Sequence, residues 1–143
     1  NKELIILYYN IGKIINAHKT WGNKFIDSLA TDIAIEFPNA KGYSVRNLKY
    51  MAKFAETYPD EQFVQQVVAQ IPWGHNIVLM DRFDDAKIRK WYIEKSIENG
   101  WSRSVLVHQI ESGLYERQAI ANKITNFDSH LPSSQSLLAS ASI

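Results

Sequence analysis

Residues 42–59, GYSVRNLKYMAKFAETYP, decide how the rest of the chain is read. Ser44 is placed to cap a helix, its hydroxyl accepting from first-turn N–H groups that have no partner within the helix. Tyr58-Pro59 closes that helix, because proline cannot continue it. Between these ends Val45, Leu48, Ala52 and Ala55 recur at the spacing of one buried helical stripe. The other side carries Arg46, Lys49 and Lys53, with Asn47 and Tyr50 at its edges. Cations, an amide and an aromatic on one short helix suit nucleic-acid recognition. Arg and Lys meet phosphates or guanine, and Asn pairs with adenine, near the start of a helix seated in a groove. The same pattern also describes an ordinary solvated helix face.

Upstream, Asn23 to Phe37 reads as a helix with Asn23 as cap, Ile26, Leu29, Ile33 and Phe37 in register, and Pro38 as its stop. A short turn over residues 39–43 containing Gly42 then leads into the Ser44-capped helix, the layout of a helix-turn-helix. Before it, Lys2 to about His18 forms an amphipathic helix with Leu4, Leu7, Tyr8, Ile11, Ile14, Ile15 and His18 on one face. Gly12 inside that helix costs about 1 kcal/mol relative to alanine and makes sense where another helix crosses closely. His18 reads as a favourable residue at a helix C-terminus rather than as a catalytic base.

Downstream, Asp60 starts a helix with Phe63, Val64, Val67, Val68 and Ile71 inward and Gln62, Gln65, Gln66 and Gln70 in water, ended by Pro72. Trp73-Gly74-His75 precedes a short apolar helix over residues 76–83, and the imidazole is expected to pack and hydrogen-bond. Asp84 and Asp85 cap the next helix, where Ile88, Trp91, Tyr92 and Lys95 share a face and the lysine stem lies along the rings. Gly100 ends it. Ser102 caps another helix, with Val105, Leu106 and Ile110 inward, Arg103 and His108 outward, and Gly113 at its close. From Asn122 the composition turns to Asn, Ser, Leu and Ala and reads as a linker, whose Leu131, Leu137 and Leu138 are available to a partner. The expectation is an all-α chain of seven or so helices, compact over residues 1–121 with an embedded helix-turn-helix, followed by a linker over 122–143 towards a further domain.

Composition narrows the function classes. Lys+Arg 16 against Asp+Glu 15 gives a net charge of +1, so any basic footprint for a polyanion must be local. Zero Cys excludes disulfides and thiolate metal sites and fits a reducing, cytoplasmic setting. No apolar run approaches the roughly 18 residues of a membrane helix. The histidines, His18, His75, His108 and His130, are scattered without metal-ligand spacing. No phosphate-binding glycine loop, zinc-protease motif or nucleophile elbow is present, so no catalytic residue, metal or cofactor is expected in this chain.

LYYNIGKII at the start, the run from Gly42 to Phe54, IPWGHNIVLM, SIENGWS and IESGLYERQ together resemble the N-terminal domain of the YhcG-type family, over roughly Leu4 to Gln118 in consistent order and spacing. In that family the domain precedes a PD-(D/E)XK nuclease domain. The resemblance implies a bacterial DNA-processing protein whose Mg²⁺ belongs to the nuclease domain, with no nuclease residue matched in this chain. A second similarity joins SVRNLKYMAKF, IPWGHNIVLM and ENGWSRSVLVHQI to the helix-turn-helix region of ParB-like partition proteins. It implies that Ser44, Arg46, Asn47 and Lys49 approach DNA while Gly74 and His75 support the structure or touch backbone.

The expected role is therefore DNA binding or targeting for a nuclease. Arg46, Lys49 and Lys53 hold phosphates, Asn47 and Tyr50 lie nearest base edges, and Arg103 with Lys87 and Arg89 extends the basic track. Trp73, Gly74 and His75 serve as support, and a homodimer is expected in the intact protein. The alternative is a helical protein-protein interaction or oligomerisation module that positions the nuclease domain, for which the four Trp and seven Tyr supply material.

Overall fold

The structure, a computed structural model, describes residues 1–129, which form eight α-helices and two short 3-10 turns with no strand. The all-α expectation holds. The contacts divide the chain into two compact units, Asn1–Arg103 and a second that begins at Ser104, where the sequence reading had one unit running to residue 121.

The first unit contains α1 (Lys2–Ala17), α2 (Asn23–Glu36), α3 (Val45–Thr57), α4 (Glu61–Gln66), α5 (Trp73–Arg82) and α6 (Ala86–Asn99). Ser44, Asp60 and Asp85 cap α3, α4 and α6 as the sequence called for. Ser44 Oγ accepts from the Asn47 amide at 3.1 Å, Asp60 accepts from Gln62 and Phe63, and Asp85 accepts from Lys87 at 2.8 Å. Gly100 ends α6 in the left-handed conformation, at φ 61°. His18 is the C-cap of α1, with Nδ1 at 2.8 Å from the Ile14 carbonyl oxygen and its ring stacked on Phe25 at 4.4 Å.

The core is built where α1 crosses α3. A Cβ on Gly12 would stand 2.0 Å from the Met51 carbonyl oxygen, so the glycine is what lets the two backbones meet. Around that crossing α1 buries Ile5, Tyr8, Tyr9 and Ile15, and α3 buries Leu48, Met51 and Phe54. Asn16 Nδ2 donates to the Ala52 carbonyl at 2.9 Å, and Tyr9 donates its hydroxyl to the Tyr58 carbonyl at 2.6 Å. Phe54 sits amid the rings of Tyr9, Tyr58 and Trp73, at centroid distances of 5.7, 5.4 and 5.1 Å.

Several local readings are corrected. The buried face of α1 runs through residues 5, 8, 9, 12 and 15, leaving Leu4, Leu7 and Ile14 exposed. An apolar-residue count passes over Gly12, yet the contact line must run through it. On α3 the inward stripe centres on Met51 and Phe54, with Val45 and Ala52 only half-buried. Phe37, expected inward, is 63% exposed beyond the end of α2. Asn23 is the first residue of α2 rather than its cap, and Gly22 takes the cap position at φ 63°. The helix from Asp60 breaks at Val67 into a 3-10 turn, Val68–Gln70, where β-branched residues adjoin. α5 begins at Trp73, earlier than expected, because Pro72 serves as its extended N-cap residue.

α7 (Arg103–Glu111) starts on the last residue of the first unit; in the second unit it buries Leu106, and α8 (Leu114–Ser129) buries no side chain between residues 114 and 127. Residues 122–129, read as linker, continue α8: few charges and several small polar residues do not themselves end a helix when glycine and proline are lacking. His130, Leu131, Leu137, Leu138 and the rest of the expected linker lie outside the described residues.

Candidate nucleic-acid interface

The start of α3 is braced from two sides. Asn47 donates from Nδ2 to the Gly42 carbonyl, whose residue turns at φ 92°, and accepts at Oδ1 from the Trp73 indole N–H at 2.8 Å. Asn47 was expected near a base edge, but both ends of its amide hold the α3 N-terminus to the preceding turn and to the start of α5. Replacing Asn47 with Ala is expected to cost about 1–2 kcal/mol, since it strands a half-buried indole N–H and loosens the turn. Thermal melting followed by tryptophan fluorescence would show it as a lower midpoint with an altered Trp signal.

Beyond this brace, Arg46, Lys49 and Lys53 stand exposed along α3. With Val45 and Tyr50 they line a shallow open concavity of about 560 Å³. The Arg46 guanidinium lies over the Tyr50 ring, 5.2 Å from its centroid. The Tyr50 hydroxyl donates to Asp81 Oδ2 at 2.9 Å, and Lys53 Nζ stands 3.6 Å from Asp81 Oδ1. The hydrogen bond to the Asp81 carboxylate raises the Tyr50 phenol above its ordinary pKa, with the Arg46 charge opposing part of that rise. Asp81 was not foreseen. Its partners touch it from another helix, far off in sequence, and a lone acid within IVLMDRF carries no local signal.

The supporting cluster forms the first turn of α5. The Arg103 stem passes Gly74 so closely that a Cβ there would stand 3.4 Å from Arg103 Cδ, and His75 is buried with Nε2 at 2.7 Å from the Trp101 carbonyl oxygen. The expected packing role of His75 is what the geometry shows. Arg103 is exposed and reaches the start of α5, the helix that Trp73 ties to α3. Lys87 is exposed, whereas Arg89 is buried: its Nη1 donates to the Phe83 carbonyl at 2.8 Å and its guanidinium lies over the Tyr58 ring. Arg89 therefore leaves the expected basic track, because its side chain is buried with Nη1 on the Phe83 carbonyl and the guanidinium against the Tyr58 ring.

Among the described residues no group of three or more His, Asp or Glu is placed to hold a metal ion, and no helix is long and apolar enough to cross a membrane. The arrangement is an exposed helix face carrying three cations, suited to binding an anion. Neither a curated protein nor a solved structure matches the chain. The family model of the DUF1016 N-terminal domain, the YhcG-type domain that the sequence resembles, matches residues 1–117, and the chain belongs to that family.

Proposed function

We propose that this domain binds duplex DNA through α3 and serves as the targeting module of a bacterial PD-(D/E)XK-type nuclease in the cytoplasm. The observation that carries the reading is the exposure of Arg46, Lys49 and Lys53 on a single helix whose opposite face is locked in the core and whose N-terminus is braced by Asn47 and Trp73. Arg46 and Lys49 meet phosphates, Tyr50 faces base edges, and Arg103 adds a contact from the start of α7. α2 and α3 act as a helix-turn-helix pair with a connection, residues 37–44, longer than the roughly three- to four-residue turn of the compact motif. Two copies then address paired half-sites. Chemistry and Mg²⁺ belong to the nuclease domain, and this domain contributes binding.

Titration of a labelled mixed-sequence duplex at several salt concentrations tests this. Each neutralised phosphate contributes a slope of about 0.9 in log K against log salt. Arg46→Ala with Lys49→Ala is expected to flatten the slope by about two units and to weaken binding at low salt. A flat wild-type response, or a double variant that matches wild type, sinks the reading.

A second reading, a helical interaction module that positions the nuclease, is favoured by one observation. Leu7, Ile11, Ile33, Phe37, Ala40 and Tyr43 line an almost wholly apolar depression of about 430 Å³. Binding there would respond little to salt, which separates the two readings.

A further inference from the structure

Asp81 is at odds with the surface it shares. It lies in the last turn of α5, where the carbonyl end of the helix dipole disfavours a carboxylate. Both its oxygens face α3, one toward the Tyr50 hydroxyl at 2.9 Å and the other toward Lys53 Nζ at 3.6 Å. Tyr50 and Lys53 are one turn apart, so a single carboxylate spans both. Lys53 and Asp81 remain about half exposed, and an exposed ion pair of that kind is weak enough to be broken by a competing anion.

We propose that Asp81 is a built-in competitor for phosphate, withholding Lys53 and Tyr50 from polyanions and releasing them only to a phosphate that engages them better than the carboxylate does. Asp81 is then a residue that attenuates binding in the nucleic-acid reading above, on which this inference rests. A carboxylate beside a phosphate site lowers affinity for every duplex. The competition costs most to a ligand that uses Lys53 fully, since that contact forms only when the Lys53–Asp81 pair is broken.

Asp81→Asn isolates the charge, because the asparagine carbonyl still accepts from Tyr50 while Lys53 loses its ion partner. Against a mixed-sequence duplex this variant is expected to bind about three- to tenfold more tightly than wild type near 0.1 M salt, with a log-salt slope steeper by about one unit. Adding Lys53→Met, which keeps the stem, is expected to abolish the gain, while Lys53→Met alone in the wild-type background is nearly silent. A gain that survives Lys53→Met overturns the proposal, because the effect is then a diffuse change of field. So does an Asp81→Asn variant that binds as wild type does, with the steep salt dependence intact, and in that case the DNA reading stands. Weaker binding together with a lower melting temperature also overturns it, making Asp81 a staple between helices. If neither protein binds duplex at any salt, the inference and the DNA reading fall together.

Discussion

Gly12→Ala is expected to destabilise the first unit by about 3 kcal/mol or more, although alanine is the better helix former by about 1 kcal/mol. The added Cβ would lie 2.0 Å from the Met51 carbonyl oxygen, 2.7 Å from its carbonyl carbon and 3.0 Å from the Ala55 Cβ. Two of those atoms are backbone, so no rotamer change relieves the clash. α1 and α3 must separate, and the packing of Tyr8, Ile15, Leu48 and Met51 loosens with them. For a unit of this size the thermal midpoint should fall by roughly 10 °C or more. Calorimetry checks this, and a midpoint equal to or above wild type would show that α1 is free to shift along α3.

Phe54→Ala is expected to cost about 3–5 kcal/mol, the range for emptying an aromatic site in a closed core. The side chain is fully buried and meets three rings edge-on. Edge-to-face pairs of this kind add to the area buried. Because Trp73 is one of the three, the cavity also frees the indole that holds Asn47, so damage begun in the core reaches the exposed helix start. Urea denaturation should show the loss as a lower midpoint, with Phe54→Leu recovering more than half of it. A loss below about 1 kcal/mol would mean that the surrounding rings close over the gap.

What could be read in the sequence was local. Ser44, Asp60, Asp85 and Gly100 act within three or four residues of themselves, so their capping roles follow from residue type and position. The close crossing at Gly12 was also legible, since a glycine in an amphipathic helix asks for a reason. What the crossing does to the rest of α1 was not, because the orientation of a helix is set by where its partner touches it. Arg89 and Asp81 mark the same boundary at the candidate site. A basic residue was counted as surface, but a carbonyl and a ring on other segments bury it. An acid was passed over because both its partners come from α3. The candidate cations on α3 were named correctly as exposed, whereas Asn47 was assigned to a ligand when Trp73 already holds it.

The helix that carries the exposed cations is also the helix on which the core closes, through Leu48, Met51 and Phe54. It cannot fold on contact with a ligand or swing out to meet one. Whatever docks on α3 meets a surface already set in place, so only side-chain freedom is lost on the protein's side and little backbone entropy opposes association. Fit is then decided by the shape of the incoming molecule, because the helix has no slack to give.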